Sequence, residues 1–158
     1  MSLVARELEA ADYHKGFLGL LSQLTVVGTI TEAAFAERLE HLKRLGDYLT
    51  VVVEDTSTGK IAATATLVVE RKFVHQCGLA GHVEDVVVDA GYRGQKLGQR
   101  VVERLLEEAQ ARNCYKVILN CTDANAPFYA KCGFTRKDVQ MAKYLNSTPR
   151  LPSGTVAD

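Results

Sequence analysis

Apolar and polar positions along the chain form patterns typical of short strands and amphipathic helices, and the clearest pattern lies in residues 82–110. β-Branched residues concentrated at positions 83–88 predict a buried strand. A loop that carries glycines and positive charge follows at positions 91–98. Apolar residues then recur at helical spacing opposite a charged side, which predicts an amphipathic helix. The apolar positions of this helix are Val101, Val102, Leu105, Leu106 and Ala109.

Weaker patterns of the same kind predict the remaining elements. The predicted strands are residues 3–8, 48–54, 60–70, 115–121 and 139–145. The predicted helices are residues 12–24, capped by Asp12, residues 31–45, capped by Thr31 and ended by Gly46, and residues 125–132. Turn-forming residues join the second and third of these strands into a hairpin. This order predicts an α+β (mixed α/β) fold with one central sheet.

Composition limits the classes of protein that fit this pattern. The acidic and basic residues balance to a formal net charge of +0, which argues against a nucleic-acid-binding protein that relies on bulk charge. The most apolar run, residues 61–69, is too short to cross a bilayer, and no secretory signal is evident. Neither the four cysteines nor the four histidines have metal-ligand spacing, so we expect reduced thiols and no metal.

The loop at residues 93–98 has the composition of an anion-binding site. The first N–H groups of a helix lack intrahelical partners, and the helix dipole adds positive charge there. Arg93 and Lys96 add two charged side chains, so a phosphate or pyrophosphate is the expected ligand. The spacing fits neither the P-loop nor the dinucleotide-binding pattern. On the loop alone, a plain strand-to-helix turn without a ligand stays open.

The loop Arg93-Gly-Gln-Lys-Leu-Gly98 resembles the R/Q-x-x-G-x-G/A loop that binds the acetyl-CoA pyrophosphate in the GNAT superfamily of N-acetyltransferases. Lys96 departs from that pattern, because it stands where the inner glycine is usual. Other segments resemble the glucosamine 6-phosphate N-acetyltransferases of this superfamily. These segments are Leu24-Thr-Val-Val-Gly28, Arg71-Lys-Phe-Val-His75, Gly81-His-Val-Glu-Asp85, Asn113-Cys-Tyr-Lys116 and Asn125-Ala-Pro-Phe-Tyr-Ala-Lys-Cys-Gly-Phe134. The resemblance covers residues 3–145.

This resemblance implies the GNAT fold, a central mostly antiparallel sheet flanked by helices, in a single domain at residues 1–145. Residues 146–158 are expected to form a flexible tail. It also implies transfer of the acetyl group of acetyl-CoA, as co-substrate, to the amine of D-glucosamine 6-phosphate in a ternary complex. The products are CoA and N-acetylglucosamine 6-phosphate, a step towards UDP-N-acetylglucosamine. A homodimer and a cytoplasmic location, with peripheral membrane association left open, are implied as well.

The resemblance further implies a role for each matching residue. Tyr129 is expected to act on the departing sulfur, and Glu84 and Asp85 on the amino sugar. The expected acetyl-CoA-binding residues are Val86, Val87, Val88, Arg93, Gly94, Gln95, Lys96, Leu97, Gly98, Asn120, Asn125, Phe128 and Tyr129. The expected sugar-phosphate-binding residues are Thr25, Arg71, Lys72, Phe73, Val74, His75, Glu84, Asp85, Lys143 and Tyr144.

Two features of this sequence leave the catalytic groups less defined than the resemblance suggests. Asn120 stands where relatives can carry a carboxylate, so a general base at that position is in doubt. Adjacent residues of a strand point to opposite sides, so only one of Glu84 and Asp85 is expected to face the site. A GNAT enzyme for another amine and a CoA-binding module without turnover remain alternatives.

Overall fold

The computed structural model describes residues 2–145, which are built around a five-stranded sheet. The predicted tail, residues 146–158, lies outside the described residues. The strands are β1 (Leu3–Glu7), β2 (Tyr48–Asp55), β3 (Lys60–Arg71), β4 (Leu79–Val88) and β5 (Cys114–Ile118). They lie side by side in chain order; the first four are antiparallel, and β5 runs parallel to β4. The α+β fold with a mostly antiparallel sheet is therefore confirmed.

Helices accompany this sheet, and their ends follow the local chemistry. They are α1 (Phe17–Leu21), α2 (Glu32–Leu45), the single turn α3 (Val74–Cys77), α4 (Leu97–Ala111) and α5 (Ala126–Lys131). The Thr31 hydroxyl accepts a hydrogen bond from the Ala34 N–H, and Gly46 ends α2 with a φ of 74°. Both predicted ends of this helix are confirmed. Within residues 2–145, no helix is both long and apolar enough to span a membrane.

The core has two parts, one on each face of the sheet. On one face, Val101 and Leu105 of α4 pack on Val53 and Leu67 of the central strands. On the other face, residues of α1 and α2 cover the sheet in a second cluster. The valines of β2 show the alternation, because Val51 and Val53 belong to the first cluster and Val52 to the second. The sheet is thus a middle layer between helices.

The predicted helix at residues 12–24 is wrong in its start and in its length. Residues Ala10–Lys15 form a 3₁₀ turn, and Gly16, with a φ of 81°, separates it from α1. Asp12 lies inside the turn and is fully buried. Its two oxygens accept hydrogen bonds from the Arg6 guanidinium at 2.7 and 2.8 Å. Asp12 is therefore not the N-cap residue of a helix: it is paired with a charge from β1, which offsets the cost of its burial, and it also accepts a hydrogen bond from the Glu9 N–H that begins the turn.

The predicted last strand, residues 139–145, is also wrong. These residues form no strand, and all are exposed, with Val139 at 88% and Met141 at 91% of their full accessibility. A strand is stabilised by hydrogen bonds to a neighbour, and no strand of the described chain pairs with this segment. Its apolar composition indicated a strand, but a single chain does not supply the partner.

Candidate active site

A β-bulge in the middle of β4 sets the position of the two predicted catalytic carboxylates. Glu84 lies opposite Thr66 of β3, whereas Val87 lies opposite Thr64, so Asp85 and Val86 together face one residue of β3. Asp85 adopts a φ of 51°, in the left-handed region that Asp tolerates better than most residues.

The bulge changes the alternation of side chains along β4 between Val83 and Val87, and the expectation that only one of Glu84 and Asp85 faces the site stays a prediction. The extra residue shifts the alternation by one, because Val83 packs in the α4 cluster while Val87 packs in the cluster of α1 and α2. Both carboxylate side chains are exposed. Two adjacent carboxylates are therefore accessible to solvent at the bulge.

β4 and β5 diverge just before the bulge. Their parallel pairing begins at Leu79 with Cys114 and ends at His82 with Ile118. From Val83 to Val88, β4 pairs with β3 alone among the described strands. Backbone N–H and C=O groups along this edge of β4 therefore have no strand partner and can bind an extended ligand. At this divergence, or splay, of the two strands, we predict that Val86, Val87 and Val88 offer their backbone N–H and C=O groups to the ligand.

The loop at residues 93–98 leads directly into the N-terminus of α4. Lys96 is the N-cap residue and has a φ of 59°, a conformation that glycine adopts without cost. This geometry explains why a glycine suits this position of the loop. Lys96 adopts the same backbone conformation although it carries a side chain. No side chain caps the helix, and its first turn has no acidic residue. The helix end thus stays positive and free to bind an anion.

Arg93, Gly94 and Gln95 complete the loop and are exposed, as is Lys96. Gly94 has a φ of 85°, and a Cβ added there would meet no atom within 4 Å. Its role is therefore conformational, since a side chain would fit the space but strain the backbone. Leu97 is buried in the α4 cluster and anchors the end of the loop.

Asp89 fixes the start of this loop, and sequence reasoning missed it. Its buried carboxylate accepts hydrogen bonds from the Gly91 N–H at 2.8 Å and the Gln23 side chain at 2.9 Å, and it pairs with Lys60 at 2.9 Å. These donors hold the pKa of Asp89 below its usual value, with Lys60 the largest cause. The side chain oxygen of Gln23 also accepts from the Ala90 N–H. An aspartate directly after a strand was the available signal.

Gly98 lets α5 approach α4 closely. A Cβ added at Gly98 would lie 3.1 Å from the Phe128 ring and 3.4 Å from Val88. Phe128 therefore fills the space beside the Gly98 Cα, and the prediction that Gly98 belongs to the acetyl-CoA site stays a prediction. Phe128 packs beside Val88 at the end of β4 and Gly98 at the start of α4. Its ring therefore supports the loop of the predicted acetyl-CoA site.

The Tyr129 ring packs edge-to-face against the neighbouring Phe128 ring, with centroids 4.9 Å apart and planes at 74°. Its ring is half-buried beside Phe134, with centroids 6.2 Å apart and planes at 84°. Burial raises the pKa of Tyr129 above its ordinary value of 10.0, and the nearby thiols of Cys121 and Cys132 contribute further. The hydroxyl is therefore protonated at neutral pH and available as a hydrogen-bond donor.

Two asparagines lie near this helix. Asn120 follows the end of β5 and is exposed. Asn125 is the N-cap residue of α5, but its side chain makes no capping hydrogen bond. An amide that does not cap its own helix is free to bind a ligand, so the prediction that Asn125 contacts acetyl-CoA stays consistent with the geometry.

The predicted phosphate-binding segment lies at the other end of β4. Arg71 is opposite Leu79, and five residues of strand, roughly 16 Å, separate that position from Glu84. Arg71 makes three hydrogen bonds to Asp47 at 2.8–3.1 Å. Lys72 pairs with Glu70 at 2.9 Å, which raises the pKa of Lys72. Both charges therefore have carboxylate partners that a phosphate would share or displace.

A left-handed turn follows these two cations. His75, Gln76 and Cys77 have φ values of 54°, 58° and 58°, so α3 is not a right-handed helix. Such a conformation costs about 1–2 kcal/mol for each residue that is not glycine. Two backbone hydrogen bonds close the turn, from the Cys77 N–H to the Phe73 oxygen and from the Gly78 N–H to the Val74 oxygen. Three consecutive strained residues indicate a segment whose shape is needed.

The remaining predicted substrate residues are spread over the chain surface. Phe73 and Val74 are exposed at the left-handed turn. Thr25 is exposed just after α1, whose Leu20 packs with Val87 of β4. Lys143 and Tyr144 belong to the extended segment at residues 139–145. The fold of one chain therefore places Glu84 and Asp85 on β4 and the loop at residues 93–98 between β4 and α4, while Lys143 and Tyr144 lie outside every strand and helix of the described chain.

We call the gap where β4 diverges from β5, beside the N-terminus of α4, the cleft. The fold is that of an acyl-CoA-dependent acetyltransferase. The chain matches the model of the acetyltransferase (GNAT) family over residues 9–134, and it belongs to that family. Within it, the chain groups with the glucosamine 6-phosphate N-acetyltransferases.

Relatives of that type are similar over most of the chain. Glucosamine 6-phosphate N-acetyltransferase 1 of Oryza sativa subsp. japonica is 57% identical over 141 residues, 89% of this chain and 86% of the relative. The Arabidopsis thaliana enzyme is 48% identical over 142 residues, 89% of this chain and 95% of the relative. The crystal structure of glucosamine-6-phosphate N-acetyltransferase from Arabidopsis thaliana superposes with a TM-score of 0.91 at 46% identity, over 92% of this chain and 100% of that chain.

Proposed function

We propose that this protein transfers the acetyl group of acetyl-CoA to the amine of D-glucosamine 6-phosphate. The observation that carries the proposal is the splay of β4 from β5 directly beside the uncapped N-terminus of α4. An acyl thioester on a long diphosphate-bearing arm needs both features, an edge for the arm and an anion site for the diphosphate. The names of the relatives supply the sugar phosphate as acceptor.

The residues of the cleft fit acetyl-CoA as co-substrate. Arg93, Gly94, Gln95, Lys96 and the first amides of α4 would bind the pyrophosphate. The free edge from Val86 to Val88 would hydrogen-bond the pantetheine arm and the acetyl oxygen, which gains negative charge during attack. Asn120 and Asn125 would bind on the opposite side of the cleft. Among residues 2–145, no cluster of His, Cys, Asp and Glu offers a metal site.

The amino sugar requires groups that hold its amine and accept a proton. Glu84 and Asp85 are both exposed at the bulge and adjacent to the free edge of β4. Their carboxylates bind the ammonium and the sugar hydroxyls, and one of them takes up the proton that the amine loses before it attacks. Asn120 cannot serve as that base, because an amide does not accept a proton near neutral pH. Tyr129 donates to the sulfur as the carbon–sulfur bond breaks.

Arg71, Lys72 and His75 supply the positive charge for the sugar phosphate. Arg and Lys make charge-assisted hydrogen bonds to phosphate oxygens, which are stronger than those between neutral groups. Their present partners, Asp47 and Glu70, are exposed or partly exposed carboxylates, so exchange for a phosphate dianion costs little desolvation. Phe73 and Val74 then line the sugar beside these charges.

We further propose a homodimer. The outer edge of β5 has no strand partner in the described chain, and the apolar segment at residues 139–145 is exposed. A second copy can supply a partner for the edge of β5 and cover the apolar segment, because the segment of each chain can pack on the other chain. Lys143 and Tyr144 would then reach a site that one chain leaves incomplete. The product would lie on the route to UDP-N-acetylglucosamine, and we place the reaction in the cytoplasm as the resemblance implies.

Release of the CoA thiol, followed with a thiol reagent, tests the proposed function. We expect rapid release with acetyl-CoA and glucosamine 6-phosphate, and a much lower kcat/KM with glucosamine, which lacks the phosphate. Polyamines and peptides with a free amine serve as controls for other acceptors. Equal kcat/KM for glucosamine and its 6-phosphate would overturn the phosphate site. Acetyl-CoA binding without turnover of any amine would indicate a binding module.

A further inference from the structure

We propose that Tyr115 is a positioning residue for the acceptor sugar, because its ring holds the left-handed turn at residues 75–77 in shape. This inference rests on the proposed function, in which Phe73, Val74 and His75 bind glucosamine 6-phosphate. Tyr115 lies on β5, outside every segment to which a substrate contact was assigned. Its action is therefore indirect and passes through His75.

The contact that carries the inference is a stack of two rings. The imidazole of His75 lies 4.1 Å from the Tyr115 ring, centroid to centroid, with planes 28° apart. Stacking of two aromatic rings is a favourable arrangement. His75 is also the first of the three residues with positive φ, so the stack fixes the turn at the position where its unusual backbone begins.

Gly78 adds a second contact between the same two partners. A Cβ added at Gly78 would lie 3.0 Å from Tyr115 Cδ1 and 3.0 Å from the His75 carbonyl oxygen. The absent side chain thus lets the turn pack directly against the ring. Gly78 has a φ of −69°, which any residue adopts, so the reason for glycine here is this close approach rather than backbone freedom.

The register of β4 and β5 shows why Tyr115 occupies this place. Leu79, the first residue of β4, pairs with Cys114, and Ala80 pairs with Lys116, so Tyr115 is the extra residue at a register shift beside the start of β4. The ammonium of Lys116 lies 5.7 Å from the Tyr115 ring centroid. Tyr115 therefore joins the basic segment at residues 71–75 to a cation of β5. Without the Tyr115 ring, the turn would lose this contact, and His75 would no longer be held in one position.

Three variants separate this role from plain packing. Tyr115→Leu removes the ring, Tyr115→Phe keeps it without the hydroxyl, and Gly78→Ala disturbs the contact from the other side. Tyr48→Leu is the matched control, because Tyr48 is 38% exposed and Tyr115 39%, and Tyr48 lies at the start of β2. For each protein, KM is measured for glucosamine 6-phosphate and separately for acetyl-CoA, together with kcat.

We expect Tyr115→Leu and Gly78→Ala to raise KM for glucosamine 6-phosphate by roughly three- to tenfold, the range that a lost aromatic contact gives. KM for acetyl-CoA should stay within about twofold, because the pyrophosphate and pantetheine sites on α4 and β4 are unchanged. Tyr115→Phe should behave as the parent, and so should Tyr48→Leu. The NMR shifts of the His75 ring protons should move in Tyr115→Leu and hold in Tyr115→Phe.

The outcomes distinguish this inference from the proposed function. An unchanged KM for glucosamine 6-phosphate in both Tyr115→Leu and Gly78→Ala overturns the role of Tyr115 while the parent activity stands. An equal rise of both KM values also overturns it, since it indicates general destabilisation. A parent protein that does not acetylate glucosamine 6-phosphate overturns the proposed function instead. If Tyr115→Leu does not fold, Gly78→Ala alone decides between these results.

Discussion

Tyr129 shows how one side chain can combine packing with a chemical role. Its ring contacts Phe134, which fixes its direction, and its pKa is raised by burial, which keeps the proton on the oxygen. A leaving thiolate needs a donor that is protonated at working pH and is not itself a strong acid. A tyrosine in a half-buried position meets both conditions.

Tyr129→Phe separates the two roles, because it keeps the ring and removes only the oxygen. Loss of a transition-state hydrogen bond of about 2–4 kcal/mol should lower kcat by roughly 30- to 1000-fold. KM for both substrates and the melting temperature should change little, since ground-state contacts and packing are retained. Steady-state thiol release and thermal unfolding measure these quantities. Turnover at the parent rate would mean that Tyr129 only packs.

Asp12 is the residue at which burial and charge are most closely coupled. It is fully buried and paired with Arg6, whose guanidinium also binds Glu54 at 2.6 Å. Asp12→Ala leaves Arg6 with a partner only on one side, so we expect a loss of about 3–5 kcal/mol in the free energy of unfolding. Urea unfolding measures it. His14→Ala is the control, because the His14–Glu32 pair is exposed and should contribute little. Equal losses of unfolding free energy in Asp12→Ala and His14→Ala would contradict the view that burial makes the Arg6–Asp12 pair important for stability.

At the scale of an element, the loop before α4 combines a left-handed backbone at Lys96 with the positive charges of Arg93 and Lys96. Arg93→Ala should raise KM for acetyl-CoA more than it lowers kcat, because pyrophosphate contacts are similar in ground and transition states. Lys96→Gly is a cleaner companion change, since glycine adopts the φ of 59° without strain and only the ammonium is lost. KM for acetyl-CoA in each variant, measured at low ionic strength, reports the charge. An unchanged KM in both would exclude the loop as the pyrophosphate site.

A second element, the turn between β2 and β3, is tied to the same loop through Asp55. Its carboxylate accepts hydrogen bonds from the Ser57 hydroxyl at 2.6 Å and the Tyr92 hydroxyl at 2.7 Å, and Tyr92 directly precedes Arg93. These donors, with Ser57 the largest cause, lower the pKa of Asp55 from 3.8 to about 2. Since the folded pKa is the lower one, this stabilisation is present above pH 3.8 and is lost as the pH falls through 2.

Tyr92→Phe should therefore lower the free energy of unfolding at neutral pH and raise the pKa of Asp55 towards its ordinary value. The difference between parent and variant should be constant above about pH 4 and shrink as the pH falls towards 2, where the carboxyl becomes protonated in both. Urea unfolding at a series of pH values measures it. A difference that is the same at pH 2 and pH 7 would show that the hydroxyl acts by packing alone.

Comparison of these elements shows which parts of the fold the sequence could predict. The ends of α2 follow from Thr31 and Gly46, because caps are local interactions between residues close in sequence. The bulge at Asp85 and the splay beyond His82 depend on β3 and β5, so no local pattern indicates them. The left-handed turn at His75 is held by Tyr115, which lies forty residues further along the chain. Residue types thus predicted the candidate site, while its shape depends on neighbours.

At the scale of the whole molecule, the same reasoning explains the failed strand at residues 139–145. Its apolar pattern is real, and an isolated chain gives it nothing to pack against. Exposed large apolar side chains mark surfaces that other protein covers. Here these are Val139, Met141, Tyr144 and Leu145, in one continuous segment. The pattern therefore fits the proposed homodimer, in which a second copy would cover this segment.

The proposed homodimer makes a direct prediction for this segment. The parent should have twice the mass of its 17.3 kDa chain by light scattering at assay concentration. Val139→Asp places a charge where the partner would bury a valine, so we expect dissociation towards the monomer and loss of activity on glucosamine 6-phosphate, because Lys143 and Tyr144 would no longer reach the partner's site. Val26→Asp is the control for assembly, since Val26 is exposed to the same degree, 89% against 88%. A fully active parent monomer would exclude the dimer, and the complete site would then have to form within one chain.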